Sequence, residues 1–315
     1  MNAFNSYLKF MSRLLGRTPS ASVIFKTSEG EKLFRSAYES SLRLWPVPYE
    51  SIFVSSRFGI THVIVSGNPQ GKPLVLLHGV LAGATMWFPQ VNILSQDYRL
   101  YAVDILGDVN LSAPIYLPKN RIETAEWLTA VFDGLGIEQA ILVGISLGGF
   151  LALNLALYVP QRVNRIVVLD PAAALAPYSF SFMFRTIPNT LAGFFSKHPM
   201  DNIAKWATAN GRIIEQAIPI LRQMDCAIKY GRMSLRTLPS VFRDNELQQL
   251  QIPMLLLMGT KAIMYDSQVA AQRARHLIRD VIVKFIPDTG HLLTLERPEL
   301  VNEHVHRFIK NASVQ

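Results

Sequence analysis

The sequence is poor in cysteine, in charged residues and in long apolar runs, which mark disulfide-rich, disordered and membrane-spanning proteins respectively. Its 315 residues include a single cysteine, Cys226, so a disulfide within the chain is excluded. Only 17% of the residues are charged and 50% are hydrophobic, which excludes wholesale disorder and allows a sizeable core. No run approaches the roughly 18 consecutive apolar residues that a membrane-spanning helix needs. We interpret Cys226, which lies in an apolar and helix-like stretch, as a small core residue.

Signals for nucleic acid, metal or a phosphate-bearing cofactor are also lacking. The net charge is +8, but the Lys and Arg residues are scattered and form no basic block with interleaved aromatics. No pair of His or Cys has the spacing of metal ligands on a helix. No glycine-rich phosphate loop follows the first strands. The sequence therefore predicts no nucleic-acid partner, no metal and no cofactor.

The N-terminal stretch MNAFNSYLKFMSRLLGRTPS lacks the uninterrupted apolar segment of a signal peptide, because Lys9 and Arg13 break it. Four apolar side chains could share one side of a short amphipathic helix: Leu8, Met11, Leu14 and Leu15. We expect this helix to pack on the body of the protein, and contact with a membrane surface stays open. With one cysteine and no spanning segment, we expect a soluble, cytoplasmic protein.

Short apolar runs that alternate with longer amphipathic stretches dominate the rest of the chain. A helical pattern over residues 30–44 precedes two strand-like pieces, at 50–57 and 60–66, with Phe58-Gly59 as the turn between them. Six continuous apolar runs follow, at 74–77, 100–105, 140–143, 165–169, 254–258 and 281–286. Continuous apolar strands separated by helices predict an α/β fold with a mostly parallel sheet that is buried on both faces.

One interval, residues 176–248, interrupts this alternation. It contains phenylalanines, prolines and helical patterns but no clear strand, and it falls between the fourth and fifth of the six runs. We predict a helical cap there, over the carboxyl edge of the sheet, where open α/β sheets bind ligands. The predicted domains are thus a lead-in (1–49), a core (50–175 and 249–315) and the cap (176–248).

The pentapeptide Gly144-Ile145-Ser146-Leu147-Gly148 lies between an apolar strand and a helix. A serine can be held at such a sharp strand-to-helix turn only if the residues two positions away are small. The turn exposes the hydroxyl and directs the next backbone N–H at the same space, at the positive end of a helix. We therefore predict that Ser146 is a nucleophile and that the Leu147 amide belongs to an oxyanion hole.

A serine nucleophile needs a base, and His291 is the histidine in the right context. It follows the last apolar run within Pro287-Asp288-Thr289-Gly290-His291, in a loop at the carboxyl edge of the sheet. The other oxyanion amide is predicted at Val80, because His78-Gly79 closes the first core strand with a turn. His78 itself is expected to hold that loop.

These motifs occur in the order and at intervals that resemble the α/β-hydrolase superfamily, and in particular capped carboxylesterase-like members. The resemblance covers about residues 50–310. It implies an eight-stranded, mostly parallel sheet with the cap inserted after the sixth strand, and a Ser–acid–His triad.

The triad acid departs from the family pattern, because Ala262 stands where relatives usually carry the acid after the penultimate strand. Asp170, directly after the run RIVVL, is the favoured replacement, since some members with this fold place their acid at that strand's end. Asp266 is the alternative, although an N-cap on the following helix would also explain it. A Ser–His dyad without an acid stays open as well.

The sequence predicts a serine hydrolase that cleaves small to medium apolar carboxylic esters through an acyl-enzyme. Trp87 and Phe88, shortly after the oxyanion loop, are candidate substrate-binding residues. Aromatic residues of the cap could line an apolar pocket: Phe180, Phe182, Phe184, Phe194, Phe195 and Trp206. Two alternatives stay open: the same triad acting on a thioester, lactone, amide or C–C bond, and a decayed hydrolase that only binds a ligand. The oligomeric state is not predicted.

Overall fold

The computed structural model describes residues 24–180, 182, 184 and 196–310. The predicted N-terminal amphipathic helix, with Leu8 and Met11, lies outside these residues, as do Phe194 and Phe195. Within the described ranges, no helix combines the length and the hydrophobicity that crossing a bilayer would require.

The predicted eight-stranded, mostly parallel sheet is confirmed. Its strands follow the spatial order β1-β2-β4-β3-β6-β7-β8-β9, and a two-residue strand, β5, pairs with β2 at the side. β2 is antiparallel to both β1 and β4, and the pairings from β4 through β3 to β9 are all parallel. The strands are β1 (Tyr49–Ser56), β2 (Gly59–Gly67), β3 (Lys72–Leu77), β4 (Tyr98–Val103), β5 (Ala113–Pro114), β6 (Ala140–Ile145), β7 (Val163–Leu169), β8 (Met254–Gly259) and β9 (Val281–Ile286).

Helices cover both faces of the sheet, which explains why its strands are apolar without alternation. On β3, Val75 and Leu77 face one hydrophobic cluster, and Leu74 and Leu76 face the other. The first cluster includes residues of α3 (Arg121–Gly134), α4 (Leu147–Tyr158) and α8 (Ser267–Leu277); the second includes residues of α2 (Phe88–Asp97), α9 (Leu293–Glu296) and α10 (Pro298–Lys310).

The segment between β7 and β8 contains the predicted cap and follows the sixth of the eight strands of the main sheet. Its described residues form three helices, α5 (Pro199–Ala207), α6 (Ile218–Tyr230) and α7 (Asp244–Gln248). The longest of these, α6, packs against the N-terminal helix α1 (Ser28–Leu42), and Gly30 lies so close to Tyr230 that a Cβ on Gly30 would be 2.7 Å from the tyrosine Cβ.

Backbone hydrogen bonds join the two chain segments that flank this helix pair. The Lys26 amide donates to the Tyr230 carbonyl at 2.8 Å, and the Arg232 amide donates to the Ile24 carbonyl at 2.6 Å. The lead-in that precedes the sheet is therefore attached to the cap as well as to the core.

Candidate active site

Ser146 lies at the turn between β6 and α4 in a strained backbone conformation, with φ of 53° and ψ of −115°. The two flanking glycines are required by close packing. A Cβ on Gly144 would be 2.2 Å from the Gly148 carbonyl oxygen, and a Cβ on Gly148 would be 1.9 Å from the Leu77 carbonyl oxygen. The sequence pattern thus encodes a turn that only these residues can form, and such strain is typical of functional sites.

The turn is fixed to its neighbours by backbone hydrogen bonds. The Ser146 amide donates to Leu169 O on β7 at 3.0 Å, and the Ser146 carbonyl accepts from Ala172 N at 3.0 Å. The residue is 7% exposed, and its side chain lines a pocket together with His291. Between these two described residues no direct hydrogen bond forms in this structure, as is common in hydrolases without bound substrate.

The structure brings Asp170 to His291. Asp170 directly follows β7, is fully buried, and its Oδ2 lies 2.6 Å from His291 Nδ1. Its amide donates to Leu257 O at 2.9 Å, which fixes the residue at the end of the sheet. A buried carboxylate in this position holds the imidazole in one orientation and one tautomer.

Asp266, the alternative acid, does not approach the imidazole. It is exposed and caps α8, with its Oδ1 accepting from Gln268 N at 2.9 Å and from Val269 N at 3.1 Å. Ala262, at the position where the family usually carries the acid, lies in a turn in which its amide donates to Gly259 O at 3.3 Å. Of the two carboxylates considered from the sequence, the geometry therefore favours Asp170.

Tyr265 is a site residue that sequence reasoning missed. It is buried, and its hydroxyl donates to Asp170 Oδ1 at 2.9 Å, so both oxygens of the carboxylate have partners. Burial raises the pKa of Tyr265 well above its ordinary value of 10.0, and the neighbouring Asp170 charge raises it further. The hydroxyl is therefore protonated at neutral pH and can donate to Asp170.

His291 is held by contacts with the cap. Its amide donates to the Ala207 carbonyl at the end of α5, at 2.8 Å, and its side chain is 15% exposed. Glu296 bridges the same two segments, accepting from Gly290 N at 2.7 Å and from Ala209 N at 2.8 Å. Burial raises the pKa of Glu296, and these two hydrogen bonds oppose the shift.

The oxyanion loop (residues 79–87) connects β3 to α2 and carries Val80. Val80 and Leu147 both line the pocket beside Ser146, and Leu147 is the first residue of α4, where N–H groups have no acceptor within the helix. His78 is buried and holds the loop as expected, donating from Nδ1 to Gly79 O at 2.7 Å and accepting at Nε2 from Ile105 N at 2.9 Å.

Two buried aspartates support the oxyanion loop from the side of the sheet. Asp108 Oδ2 accepts from Leu81 N at 2.6 Å, and Asp104 Oδ1 accepts from Ala84 N at 2.7 Å. Burial raises the pKa of Asp108. Burial acts in the same direction on Asp104, but the hydrogen bond and charge of His62 outweigh it, so the pKa of Asp104 is lowered.

The pocket above Ser146 has a volume of about 430 Å³ and an apolar wall. Within the described part of the chain, no Lys, Arg, Asp or Glu lines it. Phe182 stacks between Tyr178 and Trp206, with ring centroids 5.1 and 5.3 Å apart, on the cap side. Five methionines are also part of the wall: Met86, Met200, Met224, Met233 and Met264.

Other aromatic residues that the sequence suggested for substrate binding are placed elsewhere. Trp87 is fully buried and packs in the cluster between the sheet and α10, and Phe88 packs against the same cluster, so the structure does not bring these two predicted substrate-binding residues to the pocket wall. Trp87 ends a short 3₁₀ turn, Ala84–Trp87, and Phe88 is the first residue of α2. Phe180 and Phe184 are exposed, 73% and 67% respectively.

Across the described residues, no group of three or more His, Cys, Asp or Glu side chains is arranged to hold a metal ion. Cys226 is half-buried and burial raises the pKa of its thiol, which makes it a weak nucleophile. Ser146 and His291 line the pocket, and Asp170 contacts the imidazole.

Comparisons with known proteins agree with this fold. The family model of the α/β hydrolase fold matches residues 72–209. Carboxylesterase YbfK of Bacillus subtilis (strain 168) is 38% identical and the alignment covers 91% of this chain and 97% of the relative. A second protein of that strain, described as the uncharacterized carboxylesterase nap, is 36% identical over 91% of this chain and 96% of its own length.

Solved structures of the same group have the same fold. The crystal structure of naproxen esterase (carboxylesterase NP) from Bacillus subtilis has a TM-score of 0.83 at 36% identity, covering 90% of this chain and 99% of that one. Carboxylesterase CesB (YbfK) from the same organism has a TM-score of 0.82 at 36% identity, covering 89% of this chain and 98% of that one. The resemblance inferred from the sequence is thereby confirmed, and the protein belongs to the α/β-hydrolase family, in the group of these carboxylesterases.

Proposed function

We propose that this protein is a serine carboxylesterase in which Ser146, His291 and Asp170 form the catalytic triad. The observation that carries the proposal is the 2.6 Å contact between Asp170 Oδ2 and His291 Nδ1, in a pocket that also contains the strained Ser146. This contact supports Asp170 as the triad acid, because it gives the imidazole a carboxylate from another strand end although Ala262 stands at the usual position. It disfavours the alternative of a decayed hydrolase that only binds.

The reaction follows from the roles of the three groups. His291 accepts the Ser146 proton at Nε2 as Oγ attacks the ester carbonyl carbon, and Asp170 stabilises the imidazolium that forms. The imidazolium then returns the proton to the leaving alcohol as the carbon–oxygen bond breaks, which leaves an acyl-enzyme. Water, deprotonated by the same imidazole, attacks the acyl-enzyme; the acid is released, and the imidazolium returns the proton to Ser146 Oγ.

The negative charge on the carbonyl oxygen is stabilised by the Val80 and Leu147 amides. The Leu147 amide also lies at the N-terminus of the twelve-residue helix α4, whose dipole favours an anion there. Both amides are backbone groups on segments fixed by buried hydrogen bonds, so they need little reorganisation during the reaction.

The pocket supports an ester with apolar acid or alcohol groups of small to medium size. Its wall presents aromatic, aliphatic and methionine side chains, and its described lining residues include no charged side chain that could pair with a free carboxylate or a phosphate. The naproxen esterase named above is a carboxylesterase, which supports a carboxylic ester as the substrate of this chain.

A panel of p-nitrophenyl esters from acetate to dodecanoate, together with a fluorophosphonate probe, tests the proposal. We expect hydrolysis of short and medium chains and rapid labelling of Ser146, because only an activated serine reacts quickly. Ser146→Ala should lose on the order of 10⁶ in kcat and all labelling while keeping its fold. Ser40→Ala, on the exposed face of α1, is the matched control. Near-normal turnover by Ser146→Ala would refute the triad.

A further inference from the structure

Gln223 is a cap residue whose side chain reaches into the oxyanion loop. It lies on α6, is fully buried, and both polar atoms of its amide are bound to that loop. Nε2 donates to the Ala82 carbonyl at 2.7 Å, and Oε1 accepts from the Thr85 hydroxyl at 2.9 Å. A buried primary amide that both donates to and accepts from one loop restrains the position of that loop.

The oxyanion loop requires such support because its backbone is strained. Leu81 has φ of 65°, a left-handed conformation that non-glycine residues rarely adopt, and Gly83 has φ of 69°. A Cβ on Gly83 would be 2.8 Å from Gln223 Nε2, so the glycine also makes room for the amide. Val80 directly precedes the strained Leu81, and any relaxation of Leu81 would turn the Val80 amide.

The loop is held from two sides. Asp108 and Asp104 bind Leu81 N and Ala84 N from the sheet, as described above, and Gln223 binds Ala82 and Thr85 from the cap. The helix that carries Gln223 is itself attached to the N-terminal lead-in at its C-terminal end, through Tyr230 and Arg232. The backbone of Gln223 is therefore held in place, and its side chain can restrain the oxyanion loop.

We propose that Gln223 is a positioning residue for the oxyanion hole: through Ala82 and Thr85 it holds the loop so that the Val80 amide is directed at the developing oxyanion. The inference rests on the proposed esterase function. It makes the cap a part of the catalytic apparatus in addition to a wall of the pocket.

The expected signature is a loss of kcat with KM preserved. The apolar wall binds the neutral ester, and the oxyanion hole acts on a charge that exists only in the transition state. Removing an oxyanion donor outright costs about 10² to 10³ in kcat, and misdirecting one should cost roughly tenfold or more. A boronic acid, which forms a tetrahedral adduct with the serine, should lose affinity by a similar factor.

Two changes break the contact from opposite ends, and each has a control. Gln223→Met keeps the length of the side chain and removes both hydrogen bonds. Thr85→Val is isosteric and removes the hydroxyl, and Thr85→Ser keeps the hydroxyl as its matched control. Cys226→Ala, three residues along the same helix, controls for a general loss of helix stability. We would measure kcat and KM for p-nitrophenyl butyrate and Ki for butylboronic acid, with the melting temperature of each variant.

The proposal expects Gln223→Met and Thr85→Val to lose kcat and boronate affinity in parallel at unchanged KM, and Thr85→Ser and Cys226→Ala to retain both. The kcat of the Gln223→Met/Thr85→Val double variant should be no lower than that of the less active single variant, because both substitutions remove the same contact. If Gln223→Met does not fold, the Thr85 pair decides the question.

Three outcomes overturn the inference. If the wild type is active and the variants stay within about twofold of it in kcat and Ki, the positioning role fails and the esterase proposal stands. If KM rises at constant kcat, Gln223 shapes the pocket and does not position the oxyanion hole. A wild type without any esterase activity removes the proposed function itself, and the inference with it.

Discussion

Asp170→Asn tests the triad most directly, because both carboxylate oxygens receive a hydrogen bond. Tyr265 donates to Oδ1 at 2.9 Å, and His291 Nδ1 lies 2.6 Å from Oδ2. An asparagine offers one acceptor oxygen and one NH₂ donor. If its oxygen accepts from Tyr265, its NH₂ faces Nδ1 and forces the histidine proton to Nε2, where the base should be free. The tyrosine thus favours the unproductive tautomer in this variant.

The size of the effect follows from the same geometry. Loss of the correct tautomer costs roughly 10³ to 10⁴ in kcat, equivalent to about 4 to 5.5 kcal/mol of transition-state stabilisation. KM should change little, because Asp170 is buried behind the imidazole and does not line the pocket. The fold should be retained, since the substitution preserves the volume of a fully buried side chain and removes a buried charge.

The assay is kcat for Asp170→Asn and Asp266→Asn, measured in parallel on p-nitrophenyl butyrate, with circular dichroism to monitor folding. Asp266→Asn is the matched control, because asparagine caps a helix about as well as aspartate does. A crippled Asp266→Asn beside a nearly normal Asp170→Asn would refute the assignment of the acid. Two nearly normal variants would show that the enzyme works as a Ser–His dyad.

Three further predictions follow from buried contacts. Tyr265→Phe removes the second partner of Asp170 and should lower kcat by about tenfold, since a hydrogen bond to a charged group is worth roughly 1.5 to 3 kcal/mol; an unchanged kcat would show that His291 alone orients the carboxylate. Burial raises the pKa of Asp108, so this carboxyl group binds its proton more tightly in the folded protein than in the unfolded chain. Its contribution to the free energy of unfolding is therefore present at low pH and is lost as the pH rises above the ordinary pKa of 3.8. Asp108→Asn should therefore give a flatter dependence of the free energy of unfolding on pH above that value, and parallel denaturation curves for the two proteins across this range would contradict it. Met224→Trp, on the pocket wall, should lower kcat/KM for the octanoate ester by on the order of tenfold relative to the acetate ester, and an equal loss on both esters would argue against a chain-length role for this wall.

The sequence predicted those parts of the site that depend on local backbone geometry. Ser146 is recognisable because Gly144 and Gly148 allow a turn that larger residues would block, and this requirement lies within five residues. His291 is recognisable from its position after the last apolar run. The parallel sheet could be predicted because its strands are apolar on both faces.

What the sequence could not predict depends on contacts between distant segments. Asp170 and Asp266 have the same chemistry, and only the fold buries the first against His291 and exposes the second at a helix N-terminus. Tyr265 and Asp170 are 95 residues apart in the sequence, so no local pattern links them. Trp87 is buried in a cluster with side chains of the sheet and of α10, which are distant in the sequence, so no local pattern shows where its ring lies.

The attachment of the cap has a consequence for chimeric enzymes. An exchange of caps between related enzymes, made to transfer substrate specificity, assumes that the cap and the core are separable modules. In this protein, Ala207 and Ala209 hold the loop of His291, directly and through Glu296, and Gln223 holds the oxyanion loop. A chimera whose new cap lines the pocket but lacks these anchoring groups should bind the new ester. It should hydrolyse that ester slowly, because His291 and the oxyanion loop would no longer be held in place. A successful exchange must therefore transplant the anchors together with the lining, or graft only the wall residues between them.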